Sequence, residues 1–248
     1  MIQEQDIQKA FQQFTLELNQ PFRLKGIFFD MDGVLFNSMP YHAQSWIQTF
    51  KEFNLTLPEV EPYMNEGSTA YYTVKQMFKK YLNREATPEI CEQIKNRKHE
   101  VMSQMPQSEI LQPMPDLLKR ITAQNIECWV VTGSAQEALI GRLVDEYGNT
   151  LHREKMITAN DVKNGKPNPE PYLKAMLKSG FEKNNAIVIE NAPLGIESAK
   201  AAGLFTIAIN TGPLDPKILK NAGADIVLPG TELFNSLWPT IYNVLVQN

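Results

Sequence analysis

The sequence of 248 residues is poor in cysteine and has no excess of basic charge. Its two cysteines, Cys91 and Cys128, lie far apart without the spacing of metal ligands, so we expect reduced core residues and a reducing compartment. Lysine and arginine number 24 against 28 aspartate and glutamate residues, which gives a net charge of −4 and no basic stripe. This balance argues against a nucleic-acid-binding surface.

Long apolar runs are also missing. No run approaches the ~20 apolar residues that a membrane-spanning helix needs. The first residues, M-I-Q-E-Q-D-I-Q-K, lack the pattern of a signal peptide, and neither an internal repeat nor a low-complexity tract is visible. With 43% hydrophobic and 21% charged residues, the composition is that of a globular protein, which we expect to be cytoplasmic and without a membrane partner.

Strand and helix patterns alternate from residue 109 onward. Apolar strand patterns occur at 27–29, 126–131, 156–158, 186–189, 205–209 and 226–228. Helical patterns separate the later ones. This alternation is typical of a parallel sheet whose strands are joined by crossover helices.

Residues 37–108 contain helical patterns and no strand pattern. We therefore predict an α/β fold: a doubly wound parallel sheet with a Rossmann-like core, and a small helical cap domain inserted after the first strand. The core would comprise residues 1–36 and 109–248, and the cap residues 37–108. A helix over residues 2–18 is expected to pack on the outside of the core, and a ligand cleft is expected between core and cap.

The first strand ends abruptly in two carboxylates. Asp30 follows the apolar run 27–29, Asp32 comes two residues later, and Gly33 allows a sharp turn. Ligand chemistry in open parallel sheets occurs beyond the carboxyl ends of the strands. Two acids crowded there favour a hard divalent cation such as Mg²⁺ between them. The alternative is that both acids only accept hydrogen bonds from loop amides.

Other predicted strand ends also lead into polar residues. Thr132-Gly133-Ser134 precedes a helix and could bind an anion, or serve only as a helix cap. Lys166 lies in a loop with prolines close by, although an isolated loop lysine is usually solvated. Glu190 and Asn191 follow a strand, where the acid could merely complement a helix dipole. Together these groups could supply a nucleophile, an acid, anion donors, a cation and metal ligands.

The predicted cap contains two features of interest. His42 and Trp46 lie four residues apart on one helix face, and for His42 a structural and a catalytic role are equally supported. The clearest cap helices are predicted over 68–82 and 87–105, each opening with a serine or threonine. The second contains Lys95, Arg97 and Lys98, which we interpret as a solvated face; the alternative is a phosphate contact.

Four segments in order resemble motifs one to four of the haloacid dehalogenase superfamily: D-M-D-G-V, V-V-T-G-S, G-K-P-N-P-E-P-Y and V-I-E-N-A-P-L-G-I. The early helical insertion and the pattern D-G-V-L-x-N-S-x-x-x-H-x-x-x-W are similar to the β-phosphoglucomutase-like branch. The resemblance implies Mg²⁺-dependent phosphoryl transfer through an aspartyl phosphate.

The resemblance also implies a role for each matching residue. Asp30 would be the nucleophile, and Asp32 the general acid/base with its carbonyl on Mg²⁺. The implied phosphate or substrate contacts are Thr132, Gly133, Ser134, Lys166, Ser38 and His42, of which Thr132 and Lys166 also join the catalytic set. The implied metal ligands are Asp30, Asp32, Glu190 and Asn191.

The sequence departs from the family pattern at two places. Asn191 stands where an aspartate is usual, which removes one negative charge, and residues 67–70 offer no match to the cap arginine of β-phosphoglucomutases. We therefore favour hydrolysis of a small sugar or polyol phosphate. The alternatives are a phosphosugar mutase and, because of Asn191, a catalytically weak protein that binds a phosphorylated metabolite. A dehalogenase is disfavoured, since halide departure needs no acid at Asp32.

Overall fold

The computed structural model describes residues 3–135 and 137–246. Its centre is a parallel six-stranded sheet with the strand order 3-2-1-4-5-6. The strands are β1 (Gly26–Phe29), β2 (Glu127–Val131), β3 (Met156–Ile157), β4 (Ala186–Glu190), β5 (Phe205–Ile209) and β6 (Ile226–Leu228). The predicted doubly wound α/β fold is confirmed.

Eleven α-helices accompany the strands within these described residues. They are α1 (Glu4–Thr15), α2 (Met39–Glu52), α3 (Glu61–Met64), α4 (Ala70–Leu82), α5 (Pro88–Ser103), α6 (Met114–Ala123), α7 (Glu137–Tyr147), α8 (Glu170–Ser179), α9 (Pro193–Ala201), α10 (Pro216–Asn221) and α11 (Thr231–Val246). The short α3 and α10 were not predicted. The sequence pattern predicts a helix over 135–147, which corresponds to α7, and Gln136 in this range lies outside the described residues. In the part of the chain that is described, no helix is both long and apolar enough to cross a bilayer.

Successive residues of the central strands are buried on opposite faces of the sheet. In β1, Ile27 and Phe29 join the apolar layer under α1, α6, α7 and α11, whereas Phe28 joins the layer under α8 and α9. Both faces are covered because parallel strands need crossover helices. The chain winds from β1 toward β3, then returns to β4 beside β1 and winds the other way. This switch leaves a crevice beyond the carboxyl ends of β1 and β4, where ligands bind in such sheets.

Helix α1 packs against the outside of the sheet, as predicted for the N-terminal extension. The Phe11 ring meets the Phe205 ring edge to face, with the ring centroids 5.5 Å apart. Phe11 is fully buried, and Phe22 and Phe14 complete the aromatic cluster. The extension is therefore part of the apolar core.

The helices α2 to α5 between β1 and β2 contain an apolar cluster of their own. Its largest members include Phe50, Met77 and Phe78. Cys91 belongs to this cluster and Cys128 to the sheet core; both are free and buried, as predicted. The capping residue of α4 was predicted one residue early: Thr69, and not Ser68, accepts the capping hydrogen bond from the Tyr72 amide.

Candidate active site

Lys166 connects the carboxyl ends of three strands. Its ammonium group donates to Asp30 Oδ1 at 2.6 Å after β1, to Glu190 Oε1 at 2.7 Å at the end of β4, and to the Val131 carbonyl at 3.0 Å at the end of β2. The lysine is 1% exposed. Burial lowers the pKa of Lys166, but the charges of Asp30 and Glu190 outweigh burial and hold this pKa well above its usual value. Lys166 is thus a fixed cation that uses all three donors.

Glu190 has both carboxylate oxygens occupied by protein donors. Oε1 also accepts from the Tyr172 hydroxyl at 3.1 Å, and Oε2 accepts from the amides of Asn191 at 2.9 Å and Ala192 at 3.2 Å. Gly195 is required beside it, because a Cβ there would overlap the carboxylate. This geometry makes Glu190 the anchor of Lys166, and its predicted role as a metal ligand stays a prediction.

Asp30 is buried in a strongly charged environment. Burial raises its pKa, Lys166 lowers it, and the charges of Glu190 and Asp32 raise it again, to about 8. A carboxylate with this pKa is mostly protonated at neutral pH unless further positive charge is bound. The arrangement therefore suits an additional cation beside Asp30.

Asp32 lies in a different environment. Burial raises its pKa, but His42 and the hydrogen bond from Ser38 outweigh burial, so the pKa falls below its ordinary value. Ser38 Oγ donates to Asp32 Oδ1 at 2.5 Å, and His42 Nε2 lies 3.4 Å from the same oxygen. The structure thus brings Ser38 and His42 to Asp32. The two acids of D-x-D have pKa values shifted in opposite directions, a feature of acid/base sites.

Lys98 continues the chain of contacts from His42. Its Nζ lies 3.0 Å from His42 Nδ1 and 5.6 Å from the centre of the Trp46 ring, and the residue is only 5% exposed. The predicted solvated face is wrong for Lys98, whereas Arg97 pairs on the surface with Glu52. The missed signal was helical spacing, since Lys98 shares its helix face with the buried residues Cys91, Ile94 and Val101.

The predicted anion site after β2 lies at the same crevice. Thr132 Oγ1 accepts from the Ser134 amide at 3.0 Å, as in a local cap. Gly133 and Ser134 line the cavity between the sheet and the helical insert. A Cβ on Gly133 would come within 2.5 Å of the Gly67 carbonyl, so glycine permits the insert to approach the sheet closely. The segment 132–134 is therefore placed where it could contact a bound group.

Asn191 also faces the insert. Its Nδ2 donates to Glu66 Oε1 at 3.0 Å, whereas Oδ1 is buried without a hydrogen-bond partner among the described residues. Sequence reasoning missed Glu66. The only local signal is that this acid precedes Gly67, which does not indicate a functional residue. Burial raises its pKa well above the ordinary value, and the charge of Asp30 adds to that rise.

The fit of a metal ion depends on these oxygens. Within residues 3–135 and 137–246, no group of three or more His, Cys, Asp or Glu side chains is arranged to hold a metal. An amide oxygen can ligate Mg²⁺, and the orphaned Oδ1 of Asn191 is the type of acceptor that a bound cation would satisfy. The donor set of the predicted ligands Asp30, Asp32 and Asn191 therefore fits a hard cation.

A cavity of about 330 Å³ opens over these groups. The sheet contributes Asp30 and Asp32 to its floor, and the insert contributes Trp46, Glu66 and Tyr71 to its walls. The volume is at the small end of the range for small-molecule sites. The cavity thus joins apolar and aromatic surface to a cluster of charged groups.

Comparison with known proteins agrees with this geometry. The family model described as haloacid dehalogenase-like hydrolase matches residues 27–209, which include the strand ends of β1, β2 and β4. A solved structure from Bacteroides vulgatus, provisionally named a beta-phosphoglucomutase, is 39% identical with a TM-score of 0.93 and covers 98% of this chain and 99% of that chain.

Two curated relatives have names of phosphate-ester hydrolases. Glycerol-1-phosphate phosphohydrolase 2 of Saccharomyces cerevisiae is 30% identical over 86% of this chain and 86% of its own length. Hexitol phosphatase A of Escherichia coli is 26% identical over 85% of this chain and 93% of its own length. With the matched model covering most of the chain, the protein belongs to the haloacid dehalogenase-like hydrolase family.

Proposed function

We propose that the protein is a Mg²⁺-dependent phosphatase that hydrolyses a small sugar or polyol phosphate through an aspartyl phosphate on Asp30. The observation that supports this most directly is the position of Lys166 between Asp30 and Glu190. The neighbouring Asp32 has its own partners, Ser38 and His42. The names of the yeast and bacterial relatives support the substrate class.

The residues that would hold Mg²⁺ are Asp30, the main-chain carbonyl of Asp32, and Asn191. When bound, the ion would neutralise charge on the transferring phosphoryl group and on Asp30. Glu190 would act on the site through Lys166, because all its acceptor contacts are to protein donors.

The first half-reaction would begin at Asp30. Lys166 holds Oδ1, so Oδ2 is the oxygen left to form the bond to phosphorus as the bond to the substrate alcohol breaks. Asp32 would give a proton to the departing alcohol oxygen and would itself be left ionised. The Gly133 amide and the Thr132 hydroxyl would donate to the phosphoryl oxygens, and the positive charge of Lys166 would act on them from its place beside Asp30, so catalysis is mainly positioning and electrostatic stabilisation.

The second half-reaction would use Asp32 as a base. Its lowered pKa keeps it ionised, which suits removal of a proton from water as the water oxygen bonds to phosphorus and the acyl phosphate is cleaved. Inorganic phosphate leaves, and Asp30 is regenerated. The contacts of Ser38 and His42 with Asp32 would keep its carboxylate facing the cavity.

We further propose that residues 37–108 act as the cap over a core of 1–36 and 109–248, and that the cap determines the substrate. Among the cavity-lining residues that are described, both lysines already have partners: Lys95 lies 2.9 Å from Glu92, and Lys98 lies beside His42. A mutase has to hold a second phosphate group away from Asp30. The paired lysines therefore favour hydrolysis.

A phosphosugar mutase is the second candidate, supported by the name of the Bacteroides vulgatus protein. One assay separates the two. A panel of sugar and polyol phosphates is incubated with the protein, with and without Mg²⁺, and both phosphate release and isomer formation are measured. We expect Mg²⁺-dependent phosphate release; isomer formation without release would select the mutase.

The same assay tests the nucleophile. Peptide mapping after acid quench should locate a phosphoryl group on Asp30, and the Asp30→Asn variant should give neither this adduct nor turnover. Binding of a phosphorylated metabolite with no turnover and no adduct would select the weak binding protein instead.

A further inference from the structure

Asn191 and Glu66 form a buried pair across the boundary between the sheet and the helical insert. Asn191 follows β4 and Glu66 lies in the loop before α4, and they are 6% and 8% exposed. The amide Nδ2 of Asn191 donates to Glu66 Oε1 at 3.0 Å. Gly33 is packed against both, since a Cβ there would overlap Asn191 Nδ2 and lie 3.3 Å from Glu66 Oε1.

The hydrogen bond to Glu66 determines the orientation of the Asn191 amide. A carboxylate accepts hydrogen bonds, so it selects the NH₂ end of the amide and directs the Oδ1 end elsewhere. That Oδ1 is buried and has no hydrogen-bond partner among residues 3–135 and 137–246. A buried acceptor without a donor is rare unless another group satisfies it.

We propose that Glu66 is a positioning residue for the divalent cation of the active site. It would hold Asn191 with Oδ1 toward the cation. This inference rests on the Mg²⁺ site of the proposed function. Partners that orient a metal ligand contribute measurably to metal affinity.

The position of the loop connects this hydrogen bond to the seating of the insert. The Gly67 carbonyl lies against Gly133, and a Cβ on Gly67 would be 3.1 Å from Lys166 Cδ. Glu66 can contact Asn191 only while this loop is seated on the sheet. Cation binding and loop seating are therefore coupled, and each favours the other.

The test is Mg²⁺ binding, measured by isothermal titration calorimetry on the full chain without substrate. Glu66→Leu, which removes the acceptor of the Asn191 amide, should weaken binding by about 10- to 100-fold, the range typical of partners that orient a metal ligand. Glu59→Leu is the matched control, since it changes an exposed acid of the same insert in the same way and should leave the affinity unchanged. Circular dichroism without Mg²⁺ checks that each variant is folded.

A double-mutant cycle separates positioning from general charge loss. Asn191→Asp places a carboxylate at 191, whose two oxygens are equivalent acceptors, so no partner is needed to select one of them. We expect Glu66→Leu to cost affinity when residue 191 is asparagine and to cost little when it is aspartate. Equal effects in both backgrounds mean no coupling and overturn the proposal.

The outcomes distinguish this inference from the proposed function. Wild-type protein that binds no Mg²⁺ would remove the metal site and the inference together. Wild-type binding that Glu66→Leu leaves unchanged would overturn only the inference. If Glu66→Leu does not fold, Glu66→Asp replaces it: this variant keeps a carboxyl group but is too short to hold Asn191, so unchanged affinity would again overturn the proposal.

Discussion

Replacing Lys166 with methionine tests the centre of the site. The substitution keeps the approximate length of the side chain and removes a cation that donates to Asp30, Glu190 and the Val131 carbonyl at 2.6, 2.7 and 3.0 Å. Removing one partner of a buried ion pair leaves uncompensated charge and costs about 3–5 kcal/mol. We expect the free energy of unfolding to fall by about that amount at neutral pH.

The loss of stability should grow with pH. The pKa of Asp30 in the folded protein is already about 8 against an ordinary value of 3.8. The folded state thus retains a proton that the unfolded state releases, and this contribution to stability is lost as pH rises from about 4 through about 8. Without Lys166 the pKa of Asp30 rises further, so the variant continues to lose stability above about pH 8, where the wild-type loss levels off.

The assay is urea unfolding in EDTA at several pH values between about 6 and about 10, with Lys163→Met as the matched control. Lys163 is exposed, and its replacement should change stability by less than about 0.5 kcal/mol. Adding Glu190→Gln to Lys166→Met should recover part of the loss, because it removes a buried carboxyl group that no longer has a cationic partner. A loss below about 1 kcal/mol, typical of surface pairs, or one independent of pH would refute the reasoning.

Three further predictions concern activity. Asp30→Asn should abolish phosphate release and leave the fold intact, as checked by circular dichroism; retention of more than a few per cent of turnover would exclude Asp30 as the nucleophile. Lys98→Met should shift the acidic limb of the pH–rate profile to higher pH, because the Lys98 charge helps to lower the pKa of Asp32; an unshifted limb would contradict this. Gly133→Ala should lower kcat/KM with little change in urea stability, because its Cβ would push the Gly67 carbonyl away; unchanged kinetics would show that the loop need not seat there.

The sheet and the residues at its strand ends could be predicted from the sequence. Apolar runs alternating with helical patterns indicate parallel strands, whose carboxyl ends meet at one edge. Asp30, Lys166 and Glu190 therefore had to lie near one another once the alternation was recognised. Thr132 and Asn191, which follow β2 and β4, lie at this edge for the same reason.

The contribution of the helical insert could not be predicted in the same way. Lys98 and Glu66 reach the site only because of how the insert sits on the sheet, which local periodicity does not encode. Lys98 lies in a run of basic residues typical of a solvated face, although its place among Cys91, Ile94 and Val101 indicated burial. Helix α3 has four residues, too few to give a periodic signal.

The two rims of the sheet are formed by its shortest strands, β3 with two residues and β6 with three. Each rim thus presents few free backbone amides and carbonyls to another chain. Long exposed edge strands act as templates for pairing between molecules, whereas short ones offer a second copy few backbone groups to pair with. We therefore expect the protein to stay monodisperse during refolding at concentrations where a sheet with longer edge strands would begin to associate.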